Sequence, residues 1–278
     1  MKFGLMLPNK GRLYGDAQRL LDLAILAEES GWEGFFIWDH IGGAKNSPTV
    51  DPWVILGAIA SHTHRVRLGT MITPLSRRRP WKVAREIVTL DHLSHGRANL
   101  GVGLGDFINK DFKAFGEVSN ARTRAEMLDE GLDIIKGLQS GTSFSFSGRH
   151  YQVTEECFKP LPIQTPHVPI WVAAHWPFKR PLRRAAHWDG VLPRQWSAGP
   201  ITPAVIQEIS SYIKEHRELD TPFDIIKYGL TKGKNLTEDL NLVKAYGKAG
   251  ATWWIEEIFP SRGSLKQIQE RIIIGPPR

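Results

Sequence analysis

Short apolar runs alternate along the chain with longer segments in which apolar residues recur at helical spacing. The first run spans 3–7, and the helical segment after it begins at Asp16, a residue type that caps helix N-termini, and ends at Gly31. The run 34–38 predicts a second strand, and Pro52 at a first helical turn opens the helix that follows. Each predicted strand is thus followed by a helix.

The same pattern continues to the end of the chain. Further strand and helix pairs are predicted at 66–72 with 81–93, 98–102 with 122–138, 169–174 with 179–186, 190–192 with 203–218, 223–228 with 239–248, and 252–258 with 265–274. Strands that alternate with helices are parallel and buried on both faces. Eight such units favour one closed (β/α)8 TIM barrel over 1–278, rather than an open doubly wound sheet.

Two connections are longer than usual, at 103–121 and 140–168. The second contains Phe144 to Val153, an alternating segment that predicts a hairpin turning at Gly148. We expect both segments to be extended loops of the single barrel domain.

In this barrel the active site lies at the carboxyl ends of the strands, so polar residues there are the candidates. They are Asp39, His40, Thr73, Ser76, Arg77, Arg78, Arg79, Gly103, Gly105, Asp106, Asn109, Lys110, His175, Trp176, Glu256 and Glu257. An imidazole beside a carboxylate, as in Asp39-His40, suits proton transfer, although such a pair can also simply fix a loop.

Composition narrows the class of protein. Hydrophobic residues make up 41% and charged residues 23% of the 278 residues, which is ordinary globular usage. The net charge of +7 is diffuse, and no nucleic-acid-binding module is recognisable. The single Cys157 favours a reducing compartment, and no signal peptide or membrane span is evident, so we expect a soluble cytoplasmic protein.

Two familiar motifs are rejected on their position. His62-Thr-His64 resembles a metal-binding pair, but it follows a helix and precedes a strand, which is the wrong end of the barrel. With no clustered ligands at several strand ends, we expect no catalytic metal. Gly101-Val-Gly-Leu-Gly105 resembles the glycine-rich fingerprint of dinucleotide-binding proteins. In that fingerprint a helix begins at the third glycine, whereas here the next predicted helix begins only at residue 122. These glycines instead suit a tight turn or the close approach of a flat ligand.

A basic segment follows the fifth barrel strand and leads into a helix. Its Lys179, Arg180 and Arg183, with the free amides of the helix N-terminus, suit a phosphate group. The alternative is that these cations are merely solvated.

Together these features resemble the bacterial luciferase-like family of flavin- and deazaflavin-dependent oxidoreductases. The segments that carry the resemblance are Glu28-x-x-Gly31, Trp38-Asp39-His40, Asp51-Pro-Trp53, Arg67-Leu-Gly-Thr-Met-Ile72, Leu90-Asp-x-Leu-Ser-x-Gly-Arg97, Leu100-Gly-x-Gly-x-Gly105, Pro169-Ile-Trp-Val-Ala, Asp189-Gly and Gly250-Ala-Thr-Trp-Trp-Ile-Glu. The resemblance implies a luciferase-like barrel that holds FMN, or the deazaflavin coenzyme F420, across the strand ends.

The resemblance also implies a non-prolyl cis peptide at Met71-Ile72 against the ring, and a phosphate site within 174–179. The cofactor-binding residues expected on this basis are Met71, Ile72, Thr73, Gly103, Leu104, Gly105, Ala174, His175, Trp176, Lys179 and Arg180. Leu104 stands where luciferases carry an arginine for the flavin phosphate, so 77–79 or the cations after the fifth strand would have to replace it.

The leading expectation is an FMN-dependent monooxygenase in which reduced flavin from a separate reductase reacts with oxygen on a small organic substrate. His40 would be the proton donor, with Asp39 setting its tautomer. The alternatives are a dehydrogenase or reductase that uses F420, and a non-catalytic flavin-binding subunit. We expect a homodimer, as the family implies, and neither nucleic-acid nor membrane partners.

Overall fold

Strands and helices alternate from end to end in the computed structural model, which describes residues 1–42, 46–106, 108–196 and 199–278. The strands are β1 (Lys2–Leu7), β2 (Gly34–Ile37), β3 (Arg67–Pro74), β4 (Ala98–Gly103), β5 (Phe144–Ser147), β6 (Gln152–Glu156), β7 (Ile170–Trp176), β8 (Gly190–Gln195), β9 (Asp224–Gly229) and β10 (Trp253–Glu257). The helices are α1 (Gly11–Tyr14), α2 (Ala17–Glu29), α3 (Pro52–His62), α4 (Pro80–Leu93), α5 (Ala121–Leu138), α6 (Lys179–Ala186), α7 (Pro203–His216), α8 (Leu236–Lys248) and α9 (Leu265–Ile273).

Eight of the strands close into a barrel in the order β1-β10-β9-β8-β7-β4-β3-β2. Every neighbouring pair in it is parallel. This confirms the predicted (β/α)8 TIM barrel and excludes the open sheet. The carboxyl ends of all eight strands therefore surround one mouth.

Local sequence signals explain where the helices begin. Asp16 accepts a hydrogen bond from the Arg19 amide at the start of α2. Asp51 accepts the amides of Trp53 and Val54, and Pro52 occupies the first turn of α3. The cap at Asp16 and the position of Pro52 are as the sequence predicts.

The apolar core has two layers. One lies between the barrel and the helices, and includes Leu5, Phe35 and Leu100. The other fills the inside of the barrel and consists of Met6, Phe36, Met71, Trp171, Leu192, Ile226, Trp253 and Ile255. Because side chains alternate along a strand, neighbouring residues enter different layers. The inner layer forms the floor beneath the barrel mouth.

Three motif residues at the opposite end of the barrel bind backbone groups. The buried Glu28 carboxylate accepts the amides of His64, Arg65 and Val66, just before β3. Asp91 accepts the amides of 163 and 164 in the long loop after α5. Arg97 donates to carbonyls of 60, 63, 66 and 94. These parts of the family motifs therefore stabilise the fold.

The two extended loops contain short ordered pieces. In the first, a π-helical turn (Ile108–Phe112) and a 3-10 turn (Lys113–Phe115) follow β4. In the second, β5 and β6 pair antiparallel, which confirms the predicted hairpin. The Glu130 side chain of α5 accepts the amides of Arg149, His150 and Tyr151 and holds the turn of this hairpin.

Across the described ranges, no helix combines the length and the apolar character that crossing a membrane requires.

Candidate active site

The barrel mouth is open and partly apolar. Above the buried inner layer lie the half-buried side chains of Trp38, Ile72, Ala173, Tyr228 and Phe259. They come from β3, β7 and β9 and from the segments that follow β2 and β10. An apolar surface that is only half-covered at the strand ends is the usual setting for a ligand in this fold.

One wall of the mouth consists of small residues. Gly103 ends β4, and a Cβ placed on it would lie 2.9 Å from the Cβ of Ala173 and 3.2 Å from the Cδ1 of Ile72. The Met71-Ile72 peptide bond is cis, which confirms the prediction made from the family resemblance. The register of β3 against β4 also shifts between Thr70 and Thr73.

His40 lies at the rim beside this wall, and its carboxylate partner is Asp111. The Nδ1 atom of His40 hydrogen-bonds to Oδ2 of Asp111, and Oδ1 of Asp111 accepts the Gly42 amide at 2.9 Å. The imidazole packs edge-on against Trp38, with ring centroids 5.3 Å apart. Asn9, which is fully buried, donates to the His40 carbonyl at 2.8 Å. The ring is therefore fixed in orientation from several sides.

Asp111 is suited to remain ionised. Burial raises its pKa, but hydrogen bonds from His40 and the Gly42 amide, together with the nearby Arg77, hold the pKa below its ordinary value. A carboxylate that stays charged favours a proton on Nδ1 of His40. Nε2 is then the nitrogen that would exchange a proton with a substrate.

The predicted role of Asp39 needs correction, because its carboxylate does not contact the imidazole. Arg77 and Arg78 each donate from Nη2 to Oδ1 of Asp39, at 3.1 Å and 2.9 Å. The hydroxyl of Thr73 donates to Oδ2 at 2.8 Å and the indole of Trp53 at 3.2 Å. Successive side chains at a strand end point in opposite directions, so Asp39 lies away from the ring of its neighbour. Asp39 fixes the loop after β2.

This network also changes the interpretation of the three arginines after β3. The sequence makes these arginines candidate ligands of the cofactor phosphate. Arg77 and Arg78 are instead bound to the buried Asp39. Arg79 is exposed and lies 6.0 Å from the ring centroid of Trp81.

Several predicted cofactor-binding side chains do not reach the mouth. Thr73 is fully buried against Asp39, and Ala174 faces the layer between barrel and helices. Met71 lies in the floor. Leu104 and Trp176 pack against the outer layer, and Gly105 turns the chain with a φ of +73°. Alternation along each strand explains why one neighbour faces the mouth and the next does not.

The cations at the start of α6 lie at the edge of the mouth. The Lys179 ammonium is 4.5 Å from the Trp176 ring centroid and 4.7 Å from that of Tyr212. It lines an open groove of about 550 Å³ between α6 and α7. Arg180 is exposed in the same first turn. A phosphate site here stays a prediction.

The opposite wall is polar, and sequence reasoning identified two of its four residues, His175 and Glu257. His175, Arg194, Tyr228 and Glu257 take alternate positions that face inward at the ends of β7 to β10. The Arg194 guanidinium lies 5.5 Å from the Tyr228 ring centroid. Counting alternate residues upward from the inner layer would have identified Arg194 and Tyr228.

Burial shifts the pKa values of two groups in this wall, His175 and Glu257. It lowers the pKa of His175, and Arg194 lowers it further. Burial also raises the pKa of Glu257, which outweighs the opposing effect of Arg194. Glu256, by contrast, faces the helices and binds Thr231, Trp254, Arg262 and Arg271. The predicted candidate Glu256 is therefore a structural residue.

The histidines at the far end of the barrel bind backbone carbonyls. His62 pairs with the Ala58 carbonyl and His92 with that of Leu161. Within the described ranges, no group of three or more potential metal ligands is present.

The model of the family described as luciferase-like monooxygenase matches residues 1–229. The chain belongs to this family. The resemblance inferred from the sequence motifs is thereby confirmed.

Curated relatives refine the chemistry within the luciferase-like family. The chain is 35% identical over 165 residues to a protein of Microbacterium testaceum named F420-dependent glucose-6-phosphate dehydrogenase, over 57% of this chain and 47% of the relative. A protein of the same name from Nakamurella multipartita is 34% identical over 165 residues, with the same coverage of 57% and 47%. The match thus spans about half the length of these relatives.

A solved structure shares the whole fold. An F420-dependent secondary alcohol dehydrogenase superposes with a TM-score of 0.79 at 17% identity, over 98% of this chain and 96% of the other. At this identity the likeness shows the fold alone.

The comparisons correct the leading functional expectation. The named relatives are dehydrogenases that depend on F420, so the prediction of an oxygen-incorporating monooxygenase is wrong. The broader prediction of an oxidoreductase is supported, and the deazaflavin alternative is favoured over FMN.

Proposed function

We propose that the protein is an F420-dependent dehydrogenase or reductase. It would interconvert a small hydroxyl compound and the corresponding carbonyl compound in the barrel mouth. The observation that carries the proposal is the His40 imidazole, which the buried Asp111 holds at the rim of a half-apolar pocket. The names of the relatives favour F420 as the partner in this reaction.

The wall of the mouth fits a flat ring system. Gly103 carries no side chain, and Ile72 and Ala173 beside it are apolar and half-buried. Glycine and alanine let a planar ligand approach the backbone closely. We assign the deazaflavin ring to this wall, with Trp38 facing it from the segment after β2.

When bound, the coenzyme supplies the hydride acceptor or donor. The protein's own residues manage the proton. In alcohol oxidation, Nε2 of His40 would accept the hydroxyl proton, while Asp111 stabilises the imidazolium that forms. In carbonyl reduction the same nitrogen would return the proton. Tyr228 and Arg194 in the opposite wall would orient the polar groups of the substrate.

Three earlier predictions carry over as parts of this proposal. Lys179 and Arg180 would contact the coenzyme phosphate at the start of α6, and the protein would be a homodimer, which size-exclusion chromatography with light scattering can test. We retain a small-molecule substrate. In alcohol oxidation the substrate itself reduces the coenzyme, so this direction needs no separate flavin reductase, whereas carbonyl reduction would need a second enzyme that supplies reduced F420.

A matched pair of glycine variants tests the coenzyme wall. Gly103→Ala would press a methyl group against Ala173, whereas the same change at Gly57 on α3 meets nothing closer than 4.0 Å. We expect wild type and Gly57→Ala to bind F420 saturably in equilibrium dialysis, and Gly103→Ala to bind at least tenfold more weakly. Equal F420 affinity in all three proteins would contradict the assignment.

A further inference from the structure

The barrel wall is incomplete beside the mouth, between β8 and β9. These strands pair only at Gly190 with Asp224 and at Val191 with Ile225. On its other side, β8 pairs with β7 as far as Gln195. The upper parts of β8 and β9 therefore separate as they approach the mouth.

A cavity of about 390 Å³ lies at this separation. The mouth-facing residues Arg194, Tyr228 and Glu257 line it from one side. Tyr246 and Trp254, which belong to the outer layer, line it from the other. We call this cavity the β8–β9 cleft. It connects the barrel mouth with the space beneath α8.

Lys227 extends into the β8–β9 cleft from the outer face of β9. Its side chain is buried, and its ammonium lies 4.8 Å from the Tyr246 ring centroid and 5.4 Å from that of Trp254. Nζ donates to the Tyr228 carbonyl. Within the ranges that the structure describes, neither Lys227 nor Arg194 forms an ion pair with a carboxylate.

The buried ammonium of Lys227 is costly without an ion-paired carboxylate, whereas Arg194 is exposed near the end of β8. A buried charge is tolerated when a counter-ion or strong hydrogen bonds compensate its lost hydration. Glu257 in the lining acts on Lys227 electrostatically, but burial raises the pKa of this carboxyl. An anionic ligand would supply the missing negative charge.

We propose that the β8–β9 cleft binds a negatively charged group of the substrate, a carboxylate or a phosphate monoester, between Lys227 and Arg194. The reacting carbon of the same molecule would then lie in the mouth, within reach of His40. Only the identification of the ligand as the substrate rests on the proposed function. Anion binding in the cleft needs no coenzyme.

The proposal predicts how the affinity of the β8–β9 cleft for an anion depends on pH. Burial lowers the pKa of Lys227 to about 8, although Glu257 and Glu256 act in the opposite direction. An anion binds the protonated amine, so the affinity for acetate, whose own charge does not change near this value, should fall as the pH rises above it. The other titratable or charged groups facing Lys227 are Arg194 on β8, Tyr228 on β9, Glu256 and Glu257 on β10, and Tyr246 on α8.

Calorimetric titration of the coenzyme-free protein, in a buffer without phosphate or carboxylates, tests the cleft. The probes are inorganic phosphate, acetate and the uncharged acetamide. The variants are Lys227→Met and, as a matched control, Lys232→Met, which changes an exposed lysine that pairs with Glu238. Removing a buried unpaired charge should leave Lys227→Met folded, which thermal unfolding checks.

We expect saturable binding of phosphate, acetate or both to wild type and to Lys232→Met, and at least tenfold weaker binding to Lys227→Met. Preference for phosphate or for acetate identifies the anionic group. The proposal is overturned if neither anion binds, if acetamide binds as well as acetate, or if Lys227→Met binds like wild type. A parallel F420 titration separates the two proposals, because anion binding without F420 binding would reject only the proposed function.

Discussion

Asp39 and Asp111 are both buried beside the loop after β2, and the two carboxylates share Arg77 but otherwise hold different partners. Asp111 binds the imidazole of His40 and the Gly42 amide. Asp39 binds Arg77 and Arg78. One aspartate therefore orients the imidazole that we propose transfers the proton, and the other connects β2 to β3.

Replacing His40 with alanine should slow turnover without weakening the binding of F420. We expect His40→Ala to lower kcat/KM for F420-linked turnover by about 10²–10⁴-fold, the range typical of a lost general acid or base. The affinity for F420 should change little, because the wall assigned to the ring consists of Gly103, Ala173 and Ile72 and does not include the imidazole. Kinetics and equilibrium dialysis together measure both quantities, and a parallel loss of coenzyme binding would argue for a structural histidine.

Asp111→Asn should act through His40. The variant keeps a similar shape but loses the charge that favours protonated imidazole, so activity should fall less than in His40→Ala. The pH profile of kcat/KM should also change, because the variant removes the carboxylate that hydrogen-bonds to His40. Asp39→Asn is the comparison, and an unchanged pH profile in Asp111→Asn would remove its positioning role.

Asp39 should matter for stability instead. Asp39→Ala removes the closer ion-pair partner of the buried Arg77 and leaves it the longer 3.8 Å pair with Asp111, and breaking a buried pair costs about 3–5 kcal/mol of unfolding free energy. Asp129→Ala is the control, because its pair with Arg184 is half-exposed and such pairs contribute about 0–1 kcal/mol. Urea unfolding should show the difference, and equal losses would contradict the assigned role of Asp39.

The sequence identified His40 but not its partner. Position at a strand end was enough to select Asp39 and His40. Alternation along the strand implies that these neighbours diverge, and this signal was available in the sequence. Asp111, in contrast, comes from an irregular turn 71 residues away, and no periodic pattern specifies which residue of such a loop reaches the mouth.

At the scale of elements, the beginning of β3 depends on a side chain from α2. Glu28 accepts three successive amides that would otherwise be unpaired where α3 ends and β3 begins. Burial raises the pKa of Glu28, but the amides of 64–66 lower it by more. The charged carboxylate is thus the form that stabilises this junction.

Glu28→Gln should lower the free energy of unfolding by about 1–3 kcal/mol, because one of the two acceptor oxygens is lost. The folded-state pKa lies below the ordinary 4.5, so the advantage of wild type is complete above pH 4.5 and shrinks as the pH falls through the lowered value. Urea unfolding at several pH values measures this. Glu29→Gln, an exposed neighbour, should have little effect, and a pH-independent difference for Glu28→Gln would contradict the account.

The helices and strands were predictable because each has its own hydrophobic periodicity and is bounded by residues that favour its ends. Pro52, Asp16 and Gly31 fix helix ends through backbone chemistry that acts locally. The early separation of β8 and β9 has no such signal, because pairing between strands depends on packing across the whole barrel. The β8–β9 cleft therefore became visible only in the structure.

At the scale of the whole molecule, the barrel brings groups from distant segments to one mouth. The small-residue wall, His40 and the polar wall come from β2, β3, β4 and the four strands β7 to β10. Eight alternating units predicted this arrangement, since parallel strands must share their carboxyl ends. The choice between oxygen and hydride chemistry does not follow from the fold, which hosts both. The proposal of hydride chemistry rests on the names of the relatives and on the groups at the mouth.

Deuterium transfer tests the central claim most directly. The protein is incubated without oxygen with F420 and a panel of small alcohols deuterated at the carbinol carbon, including acidic and phosphorylated members. The account predicts that deuterium from a turned-over alcohol appears in the reduced coenzyme, as mass spectrometry detects, and that His40→Ala slows this transfer. Turnover that leaves F420 unlabelled, or that requires oxygen and reduced FMN, would contradict it.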